Sequence, residues 1–297
     1  MNLTRREWFK GVSAAGLAAV APGTATAREH KTVNPEDVGM LYDSTRCVGC
    51  RACITKCVEV NGLEPDVREI DGVKYAAPVD LDSHTKSIIK IYKENGREAF
   101  VKRQCMHCAD PACVSVCMAG ALHKEKNGVV AYDKSVCVGC RYCQIACAFD
   151  VPKFSWDKAL PLIVKCEMCR DRPEGPACCE VCPRGALMTG TMEELIGEAH
   201  YRIEAEPEKY HPKVYGEHEG GGTHVLYLTA QDVPFEKLGL PAVPEKPLPE
   251  TSETIQHTLY KGFAAPMGLF GLFTAAQFYH ERRRRAVDGA AGEEKPE

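Results

Sequence analysis

Cysteine is the residue type in this chain whose spacing carries chemistry. Sixteen of the seventeen cysteines fall in four blocks. The first is Cys47-Val-Gly-Cys50-Arg-Ala-Cys53-Ile-Thr-Lys-Cys57, and the second is Cys105-Met-His-Cys108-Ala-Asp-Pro-Ala-Cys113-Val-Ser-Val-Cys117. The third is Cys137-Val-Gly-Cys140-Arg-Tyr-Cys143-Gln-Ile-Ala-Cys147, and the fourth runs from Cys166-Glu-Met-Cys169 to Cys178 and Cys182. Thiolates at C-x2-C-x2-C-x3-C spacing converge on one metal centre, which is how a polypeptide wraps a cubane 4Fe-4S cluster. A disulfide framework has no reason for this repeat, since cysteines two residues apart do not easily form a relaxed bridge. Zinc ribbons use two widely separated C-x2-C pairs, whereas two blocks here hold three cysteines within seven residues. The sixteen cysteines are therefore the expected iron ligands of four 4Fe-4S clusters. No catalytic base or nucleophile constellation accompanies them.

The elements that must position these thiols are short. The first and third blocks share Cys-Val-Gly-Cys-Arg-x-Cys-x3-Cys, an internal repeat about ninety residues apart that points to duplication of a ferredoxin-like unit. Each three-cysteine loop is expected to be irregular, with a short helix toward the fourth cysteine, and Gly49 and Gly139 are expected to let the loop approach inorganic sulfide. Strands are predicted at 128–132 and 161–165, and an amphipathic helix from Met192 with Glu193 and Glu194 in its first turn. Gly220-Gly221-Gly222 leads into a predicted strand at 223–228, and the proline-rich stretch 240–249 reads as an extended linker. The fold class is α+β: two interlocked dicluster ferredoxin-like units with irregular loops, plus one C-terminal transmembrane helix. Cys179 is the spare thiol, because Cys178 keeps the three-residue gap to the last cysteine. His107 reads as structural, and Arg51, Arg141 and Arg170 either raise cluster potentials or form solvated surface. A formal charge of -4 gives no electrostatic footprint for nucleic acid.

The ends speak about location. Thr4-Arg5-Arg6-Glu7-Trp8-Phe9-Lys10, a mild apolar stretch to Pro22 and Ala25-Thr26-Ala27 read as a twin-arginine export signal cleaved after Ala27. Such export carries folded protein, so the clusters are filled in the reducing cytoplasm before the chain meets an oxidising compartment. Residues 262–279 carry no charge and would cover about 27 Å as a helix, slightly short of the roughly 30 Å hydrocarbon core unless Leu259 and Tyr260 extend them. Arg282-Arg283-Arg284-Arg285 follows and orients the cysteine domain to the outer face. The expected domains are signal 1–27, four-cluster domain 28–190, cysteine-free extension and linker 191–258, anchor 259–280 and basic cytoplasmic tail 281–297.

On these residues the chain resembles the four-cluster ferredoxin-type electron-transfer subunits of membrane-bound respiratory oxidoreductases. Within them it is most similar to the iron-sulfur subunits associated with periplasmic nickel-iron hydrogenase-2. The likeness runs from Gly39-Met40-Leu41-Tyr42-Asp43 through Lys102-Arg103-Gln104-Cys105-Met106-His107-Cys108 and Tyr215-Gly216-Glu217-His218 to Gln256-His257-Thr258-Leu259-Tyr260-Lys261-Gly262. It implies partners: the nickel-iron hydrogenase large and small subunits, and an integral membrane subunit that handles quinone. It also implies a place on the periplasmic side of the cytoplasmic membrane. The alternative is the equivalent subunit of a formate dehydrogenase or molybdenum reductase. A redox sensor or assembly protein is disfavoured, because four clusters in series exceed what sensing needs. By analogy with two-cluster bacterial ferredoxins, the fourth cysteine of one motif serves its neighbour's cluster. That analogy groups Cys105, Cys108, Cys113 with Cys147; Cys137, Cys140, Cys143 with Cys117; Cys47, Cys50, Cys53 with Cys182; and Cys166, Cys169, Cys178 with Cys57.

Overall fold

The computed structural model describes residues 29–65, 80–94, 96–156, 161–250, 253, 266 and 268–283. It divides into two units, residues 30–250 and the two chain ends. In chain order the first unit contains β1 (Val38–Asp43), α1 (Ala52–Val60), β2 (Ile88–Glu94), β3 (Arg97–Arg103), α2 (Ala112–Ser115), β4 (Leu122–Lys124) and β5 (Val130–Tyr132). There follow α3 (Tyr142–Ala146), β6 (Lys153–Phe154), β7 (Ile163–Val164), α4 (Ala177–Glu180), β8 (Leu187–Thr191), α5 (Met192–Ala205) and β9 (Val225–Leu228). Each of the four expected short helices is present, one within each cysteine block.

The core is organised by β1. It pairs antiparallel with β8, Tyr42 opposite Leu187, and parallel with β9, Tyr42 opposite Tyr227. As a central strand it is apolar almost throughout, because both of its faces are covered. The pleat then sorts its side chains with period two. Leu41, Leu226 and Leu228 pack on Met192, Leu195 and Ala199 of α5. Met40, Tyr42, Val225 and Tyr227 face the other way, into a core that contains Cys53, Cys105, Cys166 and Cys178. One sheet face therefore anchors a helix and the opposite face backs the cysteines.

Helix α5 begins where its cap dictates. Glu194 N donates to Thr191 Oγ1 at 3.3 Å and Thr191 N donates to Glu194 Oε2 at 3.0 Å, a reciprocal capping box. Met192, Leu195, Ala199 and Arg202 form its buried stripe. The cysteine-free stretch after residue 190 thus belongs to the same compact unit as the cysteines, since it supplies both α5 and β9. The proline-rich stretch is packed as well: Leu240 is buried, Tyr215 Oη donates to Pro241 O at 2.6 Å, and Leu248 lies against Gly220.

In the other unit, residues 268–283 are helical, with Leu269, Phe270, Phe273 and Phe278 exposed. No helix among the described residues is long and apolar enough to cross a membrane. The expected anchor 259–280 is described only in part, because residues 259–265 and 267 lie outside the described residues. So do the expected export signal 1–27 and the tail beyond residue 283.

Candidate iron-sulfur sites

The C-x2-C loops share one backbone device. The second intervening residue is left-handed in all four: Gly49 and Gly139 at φ 69°, His107 at 48° and Met168 at 54°. This conformation turns the amide back toward the preceding thiol, so Gly49 N points at Cys47 Sγ at 3.5 Å and Met168 N at Cys166 Sγ at 3.3 Å. Glycine adopts it freely, whereas His107 and Met168 bear a cost of about 1–2 kcal/mol each and are held there by complete or near-complete burial. The constraint on the glycines is protein packing as much as backbone. A Cβ on Gly49 would overlap the Phe100 ring, and one on Gly139 would stand 3.1 Å from Pro161 O. Gly49→Ala is therefore expected to lower the urea midpoint and the iron content more than Gly139→Ala. Equal losses in the two variants would show that Phe100 is not the constraint.

The short helices carry thiols between sites. Cys53 and Cys57 stand four residues apart on α1, about 6 Å along the axis, and Cys143 and Cys147 have the same separation on α3 and its C-cap. Helix α1 packs on α4, and α2 on α3. The thiols consequently gather in four sets, each drawn from two blocks. Cys47, Cys50, Cys53 and Cys182 line one cavity. Cys57, Cys166, Cys169 and Cys178 line a second, and Cys117, Cys137, Cys140 and Cys143 a third. Cys105, Cys108, Cys113 and Cys147 form the fourth set, close enough for their charges to act on one another. These are the groupings that the ferredoxin analogy implies. Cys179 lines none of the three cavities.

The donor chemistry fits a multi-iron core. All seventeen cysteines are free thiols. Among the described residues no three His, Cys, Asp or Glu side chains close on a point as ligands of a single ion do; the thiols surround a space instead. Burial pushes Cys53, Cys143 and Cys166 up to about 12 and Cys147 up to about 11, with neighbouring thiols adding to the push. Four such thiols ionise together only around a compensating positive core. Cys178 is the exception: the Cys179 thiol donates to it and holds it below its ordinary value, while Cys179 itself is pushed up. Cys178 lines the cavity with Cys57, Cys166 and Cys169 and Cys179 does not, which makes Cys178 the candidate ligand. Further N–H groups reach sulfur from Leu122 to Cys117 at 3.4 Å and from Ala186 to Cys182 at 3.3 Å.

His107 adds an unpaired donor. Its Nδ1 accepts from Val130 N at 3.0 Å, which leaves the proton on Nε2, and that atom is fully buried with no partner among the described residues. Burial holds the ring neutral, well below the usual histidine range. A sulfur acceptor beside Cys105 and Cys108 would satisfy the Nε2–H. Of the arginines singled out from sequence, Arg51 lines the cavity of the Cys47 set and Arg141 that of the Cys137 set, where it also stacks on Trp156 at 4.0 Å, while Arg170 pairs with Glu125 at 2.9 Å. Sequence reasoning passed over Lys102 and Lys165, buried at 1% and 2% exposure among the thiols. The period-two pattern of 161–165 does put Lys165 on the same side as buried Ile163.

Exposure distinguishes the sets. Cys50 and Cys140 are the exposed cysteines, one in the set around Cys47 and one in the set around Cys137. The sets around Cys105 and Cys166 contain none. The exposed surface beside Cys140 is apolar: Val138, Tyr142, Ile145, Met118 and Trp156 all lie open to solvent.

Comparison with known proteins agrees with this architecture. Two models described as 4Fe-4S dicluster domain match residues 39–118 and 97–192. The hydrogenase-2 operon protein HybA of Escherichia coli is 40% identical over 92% of this chain and 94% of its own length. The iron-sulfur subunit of the nitrate-inducible formate dehydrogenase of Escherichia coli is 35% identical over 79% of this chain and 80% of its own. The formate dehydrogenase iron-sulfur subunit of Haemophilus influenzae is 33% identical over 85% and 82%. With its thiols gathered in interlocked sets and these likenesses covering most of its length, the chain belongs to the 4Fe-4S dicluster family that includes HybA and the formate dehydrogenase iron-sulfur subunits.

Proposed function

We propose that this chain is the electron-transfer subunit of a hydrogenase-2-type complex, carrying electrons between a nickel-iron catalytic module and a quinone-handling membrane subunit. The observation that carries the reading is the arrangement of sixteen thiols in four mixed sets, with one exposed cysteine in each of two of them. Each 4Fe-4S group, when bound, supplies reversible one-electron transfer. The chain's own residues do the rest. Cys47, Cys50, Cys53 and Cys182 hold one group; Cys57, Cys166, Cys169 and Cys178 the second; Cys105, Cys108, Cys113 and Cys147 the third; Cys117, Cys137, Cys140 and Cys143 the fourth. The left-handed loop residues aim amides at sulfur, and the buried sheet face excludes water. The surfaces at Cys50 and Cys140 are the two places where a partner's redox centre comes nearest.

The likeness to HybA supports nickel-iron large and small subunits as the catalytic partner. Metal analysis of the complex purified from its native membrane tests this: nickel is expected, and molybdenum or tungsten in its place would favour the formate dehydrogenase reading. The twin arginines, the exposed apolar side chains of 268–283 and the arginines that follow support a chain exported by the twin-arginine route and anchored on the periplasmic side. Replacing Arg5 and Arg6 together by lysine is expected to leave the protein in the cytoplasm with its iron in place. Unchanged export in cell fractionation would exclude that route.

A further inference from the structure

We propose that Lys102 and Lys165 are positioning residues that serve as buried counter-ions to the two iron-sulfur groups lacking an exposed cysteine, and hold their reduction potentials up. The proposal rests on the reading of the four thiol sets as cluster sites. Both side chains are almost wholly removed from solvent, at 1% and 2% exposure. A buried ammonium is tolerated when a negative partner compensates it, yet among the described residues neither lysine pairs with a carboxylate. Lys102 donates to Gln104 Oε1, and Lys165 donates to Val130 O and, at 2.9 Å, to Cys166 O. These acceptors are neutral, so the compensating charge comes from elsewhere.

The thiols supply it, and they do so crosswise. Lys102 lies at the end of β3, three residues before Cys105, but lines the cavity of Cys57, Cys166, Cys169 and Cys178. Its charge opposes the effect of burial at Cys53, Cys57 and Cys166. Lys165 directly precedes Cys166, but its ammonium donates to Val130 O, and Val130 N donates to His107 inside the Cys105–Cys108 loop; its charge opposes the effect of burial at Cys113 of that set. Each lysine thus sits on the segment leading into one inner set and acts on the other, with Lys102 also reaching Cys53 of the Cys47 set. Tyr227 lies between the two sets, feeling both Cys166 and Cys105, and its hydroxyl donates to Lys102 O at 2.7 Å. Other cations nearby differ: Lys86 pairs with Glu167 at 3.2 Å, and Lys124, only part-buried, donates to Cys108 O at 2.8 Å and Gly128 O at 3.0 Å and adds its charge at Cys108. Four thiolates outweigh the charge of an iron-sulfide core, and reduction adds one more negative charge. A fixed ammonium in a medium of low dielectric constant therefore favours the reduced state over the oxidised one.

The experiment is redox-poised EPR of the purified complex carrying Lys102→Gln or Lys165→Gln, after iron has been quantified. Glutamine keeps a hydrogen-bond donor and removes the charge. With the iron complement retained, each variant is expected to lower the midpoint of one centre most, a different one in each. The equilibrium constant for its reduction falls on the order of tenfold, equivalent to about 59 mV for a one-electron couple. Lys102→Arg and Lys165→Arg keep the charge and are expected to stay near the native midpoints even where a glutamine variant assembles poorly. Full iron with unshifted midpoints in the glutamine variants, a shift shared by all centres, or arginine variants that fall as far as glutamine ones would overturn the proposal. An unsubstituted complex without four clusters per chain would instead overturn the cluster reading on which it rests.

Discussion

Cys147→Ala is expected to abolish the iron-sulfur group of the second cysteine block and leave that of its own block intact. Cys147 follows Cys143 by one helical turn, yet its thiol faces Cys105 and Cys108 rather than Cys137 and Cys140. Its loss leaves three thiols, Cys105, Cys108 and Cys113, in that set. Iron should fall from about sixteen atoms per chain to about twelve. A double-mutant comparison assigns the loss to a set. Adding Cys105→Ala to Cys147→Ala should release no further iron, because the same group is already gone. Adding Cys137→Ala should release about four more. The opposite result, with Cys137→Ala silent and Cys105→Ala additive, would mean that each block keeps its own fourth cysteine and would undo the interlocked arrangement.

Arg202→Met is expected to cost about 3 kcal/mol of stability, the low end for breaking a buried pair, because Asp43 then keeps only Arg46 Nε, at 3.5 Å, as a cationic partner. Asp43, at the end of β1, is fully buried. Its Oδ2 accepts from Arg202 Nη1 at 2.9 Å and Tyr210 Oη at 2.9 Å, while its Oδ1 accepts from Thr45 N at 2.9 Å and Thr45 Oγ1 at 2.6 Å. The pair ties α5 to the strand that leads, four residues later, to Cys47. Methionine preserves much of the arginine volume, so the loss is electrostatic and appears as a lower urea midpoint. Coupling Arg202→Met with Asp43→Asn should recover part of it, since the unpaired charge then disappears. The set of Cys47, Cys50, Cys53 and Cys182 should lose iron first on mild denaturation, because β1 and β8 flank it. An unchanged midpoint in Arg202→Met would show that Arg46, Thr45 and Tyr210 together satisfy Asp43.

The chemistry of the cysteines was open to reading in the sequence because it is local. A C-x2-C-x2-C run is too short for its thiols to stand far apart, so metal type and the number of thiol blocks follow from spacing. The short helices between third and fourth cysteines, the capped helix from Met192 and the strands near 130 and 163 follow from equally short-range rules. The role of the stretch after residue 190 was not legible in this way. Its strand β9 pairs with β1 across more than 180 residues of chain, and its apolar pattern does not say which strand will take it.

The same distinction separates the thiols from the charges around them. Arg51 and Arg141 adjoin cysteines in sequence and line the cavities of those same sets, whereas Arg170, equally close in sequence, is spent on Glu125. Lys102 and Lys165 reach sets to which their own segments do not lead. Sequence by itself determined which thiols are available and that they form four blocks, since a few bonds confine them. Only the tertiary structure decided which block lends its fourth thiol to which set, and which buried cation faces it. Those partners are brought together by the pleat of β1 and the packing of α1 on α4, contacts between residues far apart in the chain.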